Sequence, residues 1–119
     1  MKGTILGTGN KNGYTYFIIK KEQKILQLLK DVLLKFDDGL YDFVYYMIYK
    51  NYTPSSNHTS KLKEKKVTEL KDDRYNLSYD DYIIDIIFGE KKVFIISHMS
   101  KAKSNKFRKL FFENFKLKT

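Results

Sequence analysis

The spacing of hydrophobic residues changes three times along this chain, and those changes limit the fold more than any other feature. Near the start, Thr4-Ile5-Leu6 and Tyr14-Thr15-Tyr16-Phe17-Ile18-Ile19 are runs of β-branched and aromatic residues, the composition of strands. Gly7-Thr8-Gly9-Asn10-Lys11-Asn12-Gly13 lies between them. Asn12-Gly13 tolerates positive φ at both positions, so residues 2–20 read as a β-hairpin whose loop is the glycine stretch. From 21 to 36 the period lengthens. Ile25, Leu28, Leu29, Val32 and Phe36, widened by Leu26, Leu33 and Leu34, make the stripe of an amphipathic helix. Asp37-Asp38-Gly39 breaks it: Gly39 suits a helix end, and Asp37 or Asp38 a new helix start. A second helix is expected over about 40–51, with Leu40, Phe43, Val44, Met47 and Ile48 on one face and Tyr41, Tyr45, Tyr49 and Tyr52 beside them. The pair, 21–51, reads as a helical hairpin.

Residues 53–61 form a loop of low hydrophobicity, the segment expected to move most. Residues 61–74 are charged and read as a short exposed helix or an irregular strand. Strand periodicity returns at 79–99. Tyr82, Ile84, Ile86 and Phe88 alternate with Asp81, Ile83, Asp85 and Ile87, and Lys92–Ile96 returns after Gly89-Glu90-Lys91. Apolar residues on both strand faces suggest a sheet covered at least partly on both sides. A last helix is expected over about 102–116, burying Phe107, Leu110, Phe111 and Phe115. Strands grouped with strands and helices with helices indicate an α+β fold. An antiparallel sheet from the hairpins 2–20 and 79–99 would pack against the helical hairpin and the C-terminal helix. A length of 119 residues suits a single domain, 1–119, with one core.

Composition excludes several functions. With no cysteine there is no disulfide framework, thiolate zinc site or thiol nucleophile. Two histidines, His58 and His98, are too few for a histidine-rich metal centre. The glycine stretch fails as a phosphate loop: Asn12 stands where a dinucleotide fingerprint needs glycine, and no Gly-Lys-Ser/Thr occurs. Ser97 beside His98 makes no triad, because neighbouring strand residues point to opposite faces. The expectation is a non-enzyme with no cofactor and no metal. No run approaches the ~18 apolar residues of a membrane span, and Met1–Gly7 has no apolar leader core. That favours a cytoplasmic protein.

What remains are binding surfaces. The net charge is +9, unevenly placed. Residues 90–119 hold nine Lys or Arg against two Glu, a balance of +7, whereas Asp72–Asp85 holds five Asp and one Arg. Asp80, Asp81 and Asp85 suit an interface patch or salt bridges to the Lys-rich segments. Tyr45, Tyr49 and Tyr52 suit interface anchors, since Tyr buries a ring while keeping its hydroxyl wet. Lys101, Lys103, Lys106, Arg108 and Lys109 form an alternative anion-binding set on the last helix.

Two resemblances bear on the choice. Asn12-Gly13-Tyr14-Thr15-Tyr16-Phe17 resembles the opening motif of cold-shock nucleic-acid-binding domains, Lys-Gly-Phe-Gly-Phe-Ile. Their second motif should follow closely, yet a Leu-rich helical stretch stands there and Val93-Phe94-Ile95-Ile96-Ser97-His98 comes far too late, which argues against that family. As a whole, with the Tyr82–Ile87 and Val93–Ile96 hairpin followed by an amphipathic helix, the chain resembles in type the immunity proteins of contact-dependent growth-inhibition and polymorphic-toxin systems. That resemblance implies a cytoplasmic protein that binds and neutralises a cognate toxin domain, a nuclease being the expected kind. Its positive charge departs from the acidic pattern of many nuclease inhibitors, so an acidic patch on the toxin or local use of Asp80, Asp81 and Asp85 would be needed. The alternative is a nucleic-acid-binding domain using the basic helix.

Overall fold

The computed structural model describes residues 2–48, 67–71, 74–78 and 81–118. The turn dictated by Asn12-Gly13 is present, with φ of 55° and 82° at the two residues. It joins β1 (Gly3–Lys11) to β2 (Tyr14–Lys20), antiparallel, with Lys11 opposite Tyr14. Strand β1 therefore runs through the glycine stretch, and the expected loop shrinks to two residues. The reason is tertiary. Gly9 lies opposite Tyr16, and a Cβ on Gly9 would come within 2.5 Å of the Tyr16 ring. The ring covers the bare backbone, an arrangement that makes glycine tolerable inside a strand.

Helix α1 (Ile25–Phe36) buries Ile25, Leu28, Leu29, Val32, Leu33 and Phe36, the stripe set by their spacing. It starts later than residue 21, because Glu22–Ile25 forms a turn in which the Ile25 amide donates to the Glu22 carbonyl. It ends where Asp37 becomes extended (φ −157°, ψ 110°), so Gly39 does not close it. Asp37 instead caps a 3-10 turn, Asp38–Leu40: its Oδ1 accepts from the Gly39 amide at 2.9 Å. Its Oδ2 accepts from the Tyr82 hydroxyl at 2.9 Å. One carboxylate thus ties the helical corner to the sheet. Asp37→Ala removes both bonds and is expected to cost about 1–2 kcal/mol, read as a lower urea midpoint with an unchanged slope. Helix α2 (Tyr41–Ile48) follows and buries Phe43, Val44 and Met47. The expected continuation to residue 51 and the loop at 53–61 lie outside the described residues.

Four strands complete the middle of the chain: β3 (Val67–Lys71), β4 (Arg74–Ser78), β5 (Tyr82–Phe88) and β6 (Lys92–Met99). Of the two readings of 61–74, the irregular strand holds at β3, whose pairing with β4 shifts register between Glu69 and Lys71; residues 61–66, 72 and 73 lie outside the described residues. Helix α3 (Lys101–Asn114) is capped by Ser100, whose Oγ accepts from the Lys103 amide at 3.3 Å. It buries Ser104, Phe107 and Phe111 and stops before Phe115, which opens the short strand β7 (Phe115–Leu117). The helix is thus shorter than the expected 102–116.

The sheet has seven strands in the order β3-β4-β5-β6-β2-β1-β7. Neighbours are antiparallel except β1 and β7, which run parallel. The fold is α+β with a mixed sheet, not a wholly antiparallel one. The core lies on one face. Phe17, Ile19, Tyr75, Leu77, Ile84, Ile86, Val93 and Ile95 are buried there with the apolar faces of the helices. Phe111 stacks on Phe17 (ring centroids 4.3 Å, 11°) and on Phe115 (5.4 Å, 24°), with Phe107 edge-on at 5.0 Å. A buried polar contact, Thr15 Oγ1 to Ser104 Oγ at 2.8 Å, links β2 to α3. Among the described residues no helix covers the other face.

Candidate functional site: the open face of the sheet

Strand alternation fixes what the open face carries. Register places three rows of outward residues across β5, β6, β2 and β1. Ile87, Phe94, Ile18 and Gly7 form one row, Asp85, Ile96, Tyr16 and Gly9 the next, and Ile83, His98, Tyr14 and Lys11 the third. Tyr14 is 54% exposed, Tyr16 42%, Ile83 41% and Ile96 37%. Phe94, Ile18 and Ile87 are half-buried. The Tyr14 ring leans on His98, with centroids 4.6 Å apart and planes tilted by 48°. The two glycines leave β1 low, so that Tyr16 lies across the sheet.

Charges sit at the margins of this patch. On the β4 side, Arg74 donates to Asp85 through Nη2 at 2.8 Å and Nε at 3.4 Å. That hydrogen bond, and then the carboxylate charge, raise the Arg74 pKa. Lys20 and Lys92 stand opposite each other at one end, and Lys11 at the other. An uncharged centre of aromatic and aliphatic side chains within a charged rim has the anatomy of a protein interface.

The residues singled out from sequence are placed elsewhere. Asp81 is exposed and lies 3.3 Å from Lys103 Nζ, while Asp85 pairs with Arg74. The two carboxylates therefore serve separate cations rather than one patch. Asp80, Tyr49 and Tyr52 lie outside the described residues, and of Tyr45 only the helical backbone in α2 is described. On α3, Lys106 Nζ donates to the Phe36 carbonyl at 3.0 Å and lies 5.7 Å above the Phe36 ring. Lys101 and Lys109 are exposed, and Arg108 is half-buried. Lys103 and Arg108 are about 140° apart around the helix, on opposite borders of its buried stripe, so the five basic residues do not form one face. Ser97 points inward, donating to the Thr15 carbonyl at 3.4 Å, and His98 points outward.

Sequence reasoning named Tyr14, Tyr16, Phe94, Ile96 and His98 but did not join them. The signal was the pair of motifs with cold-shock likeness, separated by most of the chain. Pairing of β2 with β6 puts Tyr14 against His98 and Ile18 against Phe94. Comparisons with protein-family models, with curated proteins and with solved structures gave no match.

Proposed function

We propose that this chain is a protein-binding inhibitor, and most concretely an immunity protein that docks its open sheet face on a cognate bacterial toxin domain. The observation that carries this reading is the patch centred on Ile96, with Tyr14, Tyr16 and Ile83 exposed around it and the neighbouring Asp85 neutralised by Arg74. Rigid aromatic anchors on a regular sheet lose little entropy on binding, and exclusion of water from such a centre supplies most of the affinity. Inhibition then needs only occlusion.

The test uses the product of the gene directly upstream. Co-purification as a stoichiometric complex, with relief of that protein's toxicity on co-expression, is expected. Ile96→Asp places a charge at the centre of the patch and is expected to weaken the complex about 100-fold, with an unchanged circular dichroism spectrum because Ile96 is not in the core. Equal binding by wild type and Ile96→Asp would remove the open face as the docking surface.

A second reading is a single-stranded nucleic acid stacked on Tyr14, Tyr16 and Phe94, favoured by the line of rings along β2 and β6. The aliphatic half of the face, Ile83, Ile87 and Ile96, gives bases nothing to stack on and suits a protein better. Retardation of an oligonucleotide at low salt, lost log-linearly as salt rises, would favour this second reading.

A further inference from the structure

A cleft of about 350 Å3 opens at one end of the open sheet face, lined by Thr4, Leu6, Lys20, Lys91, Lys92 and Lys118. Four lysine side chains thus border one small open cleft. The backbone brings them there. Lys20 and Lys92 are directly opposed across β2 and β6. The Lys21 amide donates to the Lys91 carbonyl at 3.0 Å, fastening the β5–β6 turn to the end of β2. The Lys118 amide donates to the Ile5 carbonyl at 2.9 Å, fixing Lys118 beside β1.

Like charges directly opposite on a sheet are destabilising, and hydrogen-bonded backbone holds these close to one another. The two ion pairs among the described residues, Arg74 with Asp85 and Lys103 with Asp81, involve none of the four. No carboxylate among the described residues lies within 4.0 Å of their ammonium groups. An anion bound between them would relieve their repulsion.

We propose that this cleft binds a compact anion carrying several phosphoryl groups. Charge number decides the class. A phosphoryl group carries about one to two negative charges at neutral pH, so two or three in a chain balance four ammoniums within this volume. Lysine binds phosphate as a movable point charge, so it is the number of charges on the anion, not a fixed oxygen geometry, that the cleft reads. The Thr4 hydroxyl adds a neutral donor, and the lysine stems with Leu6 supply apolar walls. The site is independent of the inhibitor reading.

Tripolyphosphate is the probe, titrated into the full chain at about physiological salt and followed by amide chemical shifts and thermal melting. Shifts confined to Thr4, Leu6, Lys20, Lys91, Lys92 and Lys118 are expected, with a rise in melting temperature that grows with ligand concentration. Lys20→Ala combined with Lys92→Ala is expected to melt no lower than wild type, since it removes a repulsion, and to bind at least about tenfold more weakly. Vesicles of phosphatidylcholine with and without a bisphosphorylated inositol lipid separate the sources. Binding to the soluble probe alone indicates a free polyphosphate or nucleotide; added binding to the phosphorylated vesicles indicates a headgroup. Shifts spread evenly over α3 lysines, equal binding by the double variant, or no binding of tripolyphosphate would each overturn the assignment. So would binding of an oligonucleotide at Tyr14 and Tyr16 that survives loss of both lysines.

Discussion

Phe111→Ala is expected to lower stability by about 3–5 kcal/mol, a large share of the ~5–15 kcal/mol that holds a domain together. The ring is fully buried and is the meeting point of the aromatic core. It stacks on Phe17 of β2 and Phe115 of β7 and receives Phe107 edge-on. Those neighbours belong to a central strand, an edge strand and the helix between the sheet's two ends, so they cannot close together over the space the ring leaves. The loss therefore combines the transfer free energy of the side chain with the cost of a cavity. Urea denaturation followed by far-ultraviolet circular dichroism measures it. A midpoint within experimental error of wild type would mean that α3 is not packed on the sheet as described. Phe112→Ala is the matched control. Phe112 is 38% exposed and only edges toward Phe17, so its loss is expected to cost about 1 kcal/mol or less.

The second large effect comes from adding an atom rather than removing several. A Cβ on Gly3 would stand 2.6 Å from the Phe115 ring and 2.9 Å from a Leu28 methyl. Phe115 is held by the Phe111 stack, and Leu28 belongs to the buried face of α1. Neither can swing into solvent. Gly3→Ala is thus expected to cost about 1–3 kcal/mol by overpacking. The strain falls on the parallel pairing of β1 with β7, where Gly3 faces Phe115. Amide exchange of β7 should accelerate more than that of β5. The contrast is Gly9→Ala. There the close atoms belong to the far end of the Tyr16 side chain, which is partly exposed and can turn away. Loss of stability comparable to Gly3→Ala at Gly9 would show the Tyr16 ring to be fixed rather than resting on the sheet.

Much of this architecture is legible in local spacing. The αL-tolerant pair Asn12-Gly13 sets the first hairpin, and the stripe from Ile25 to Phe36 sets α1, because both signals are confined to a few neighbouring residues. The strand through Gly7 and Gly9 is not legible. It exists because Tyr16 and Ile18 on the next strand lie over those glycines, a contact that local propensity does not encode. The β3–β4 hairpin hides for a different reason. Tyr75 and Leu77 alternate with Arg74, Asn76 and Ser78, a correct strand pattern, but it is too short to stand out within a charged stretch.

The candidate surface was illegible for a topological reason. Residues of β5 and β6 are apolar on both sides, and sequence alone does not say which side a helix will cover. Nor does it say that β6 will pair with β2 instead of a nearer strand. Once that pairing is made, Tyr14, Tyr16, Phe94, Ile96 and His98 converge, and the basic residues of α3 fall on two borders of a buried stripe. The charge asymmetry that dominates the sequence is thereby redistributed. Lys103 and Lys106 help hold α3 in place, while Lys20, Lys91, Lys92 and Lys118 gather at the sheet's end.

The most direct measurement compares two variants in one binding assay with the upstream gene product. Ile96→Asp alters the centre of the open face; Lys101→Glu with Lys109→Glu reverses two exposed charges on α3. The account predicts that Ile96→Asp weakens binding about 100-fold and that the helix variant stays within about threefold of wild type. The opposite order, with the helix variant losing binding and Ile96→Asp retaining it, would contradict the assignment of the sheet face as the surface this protein works through.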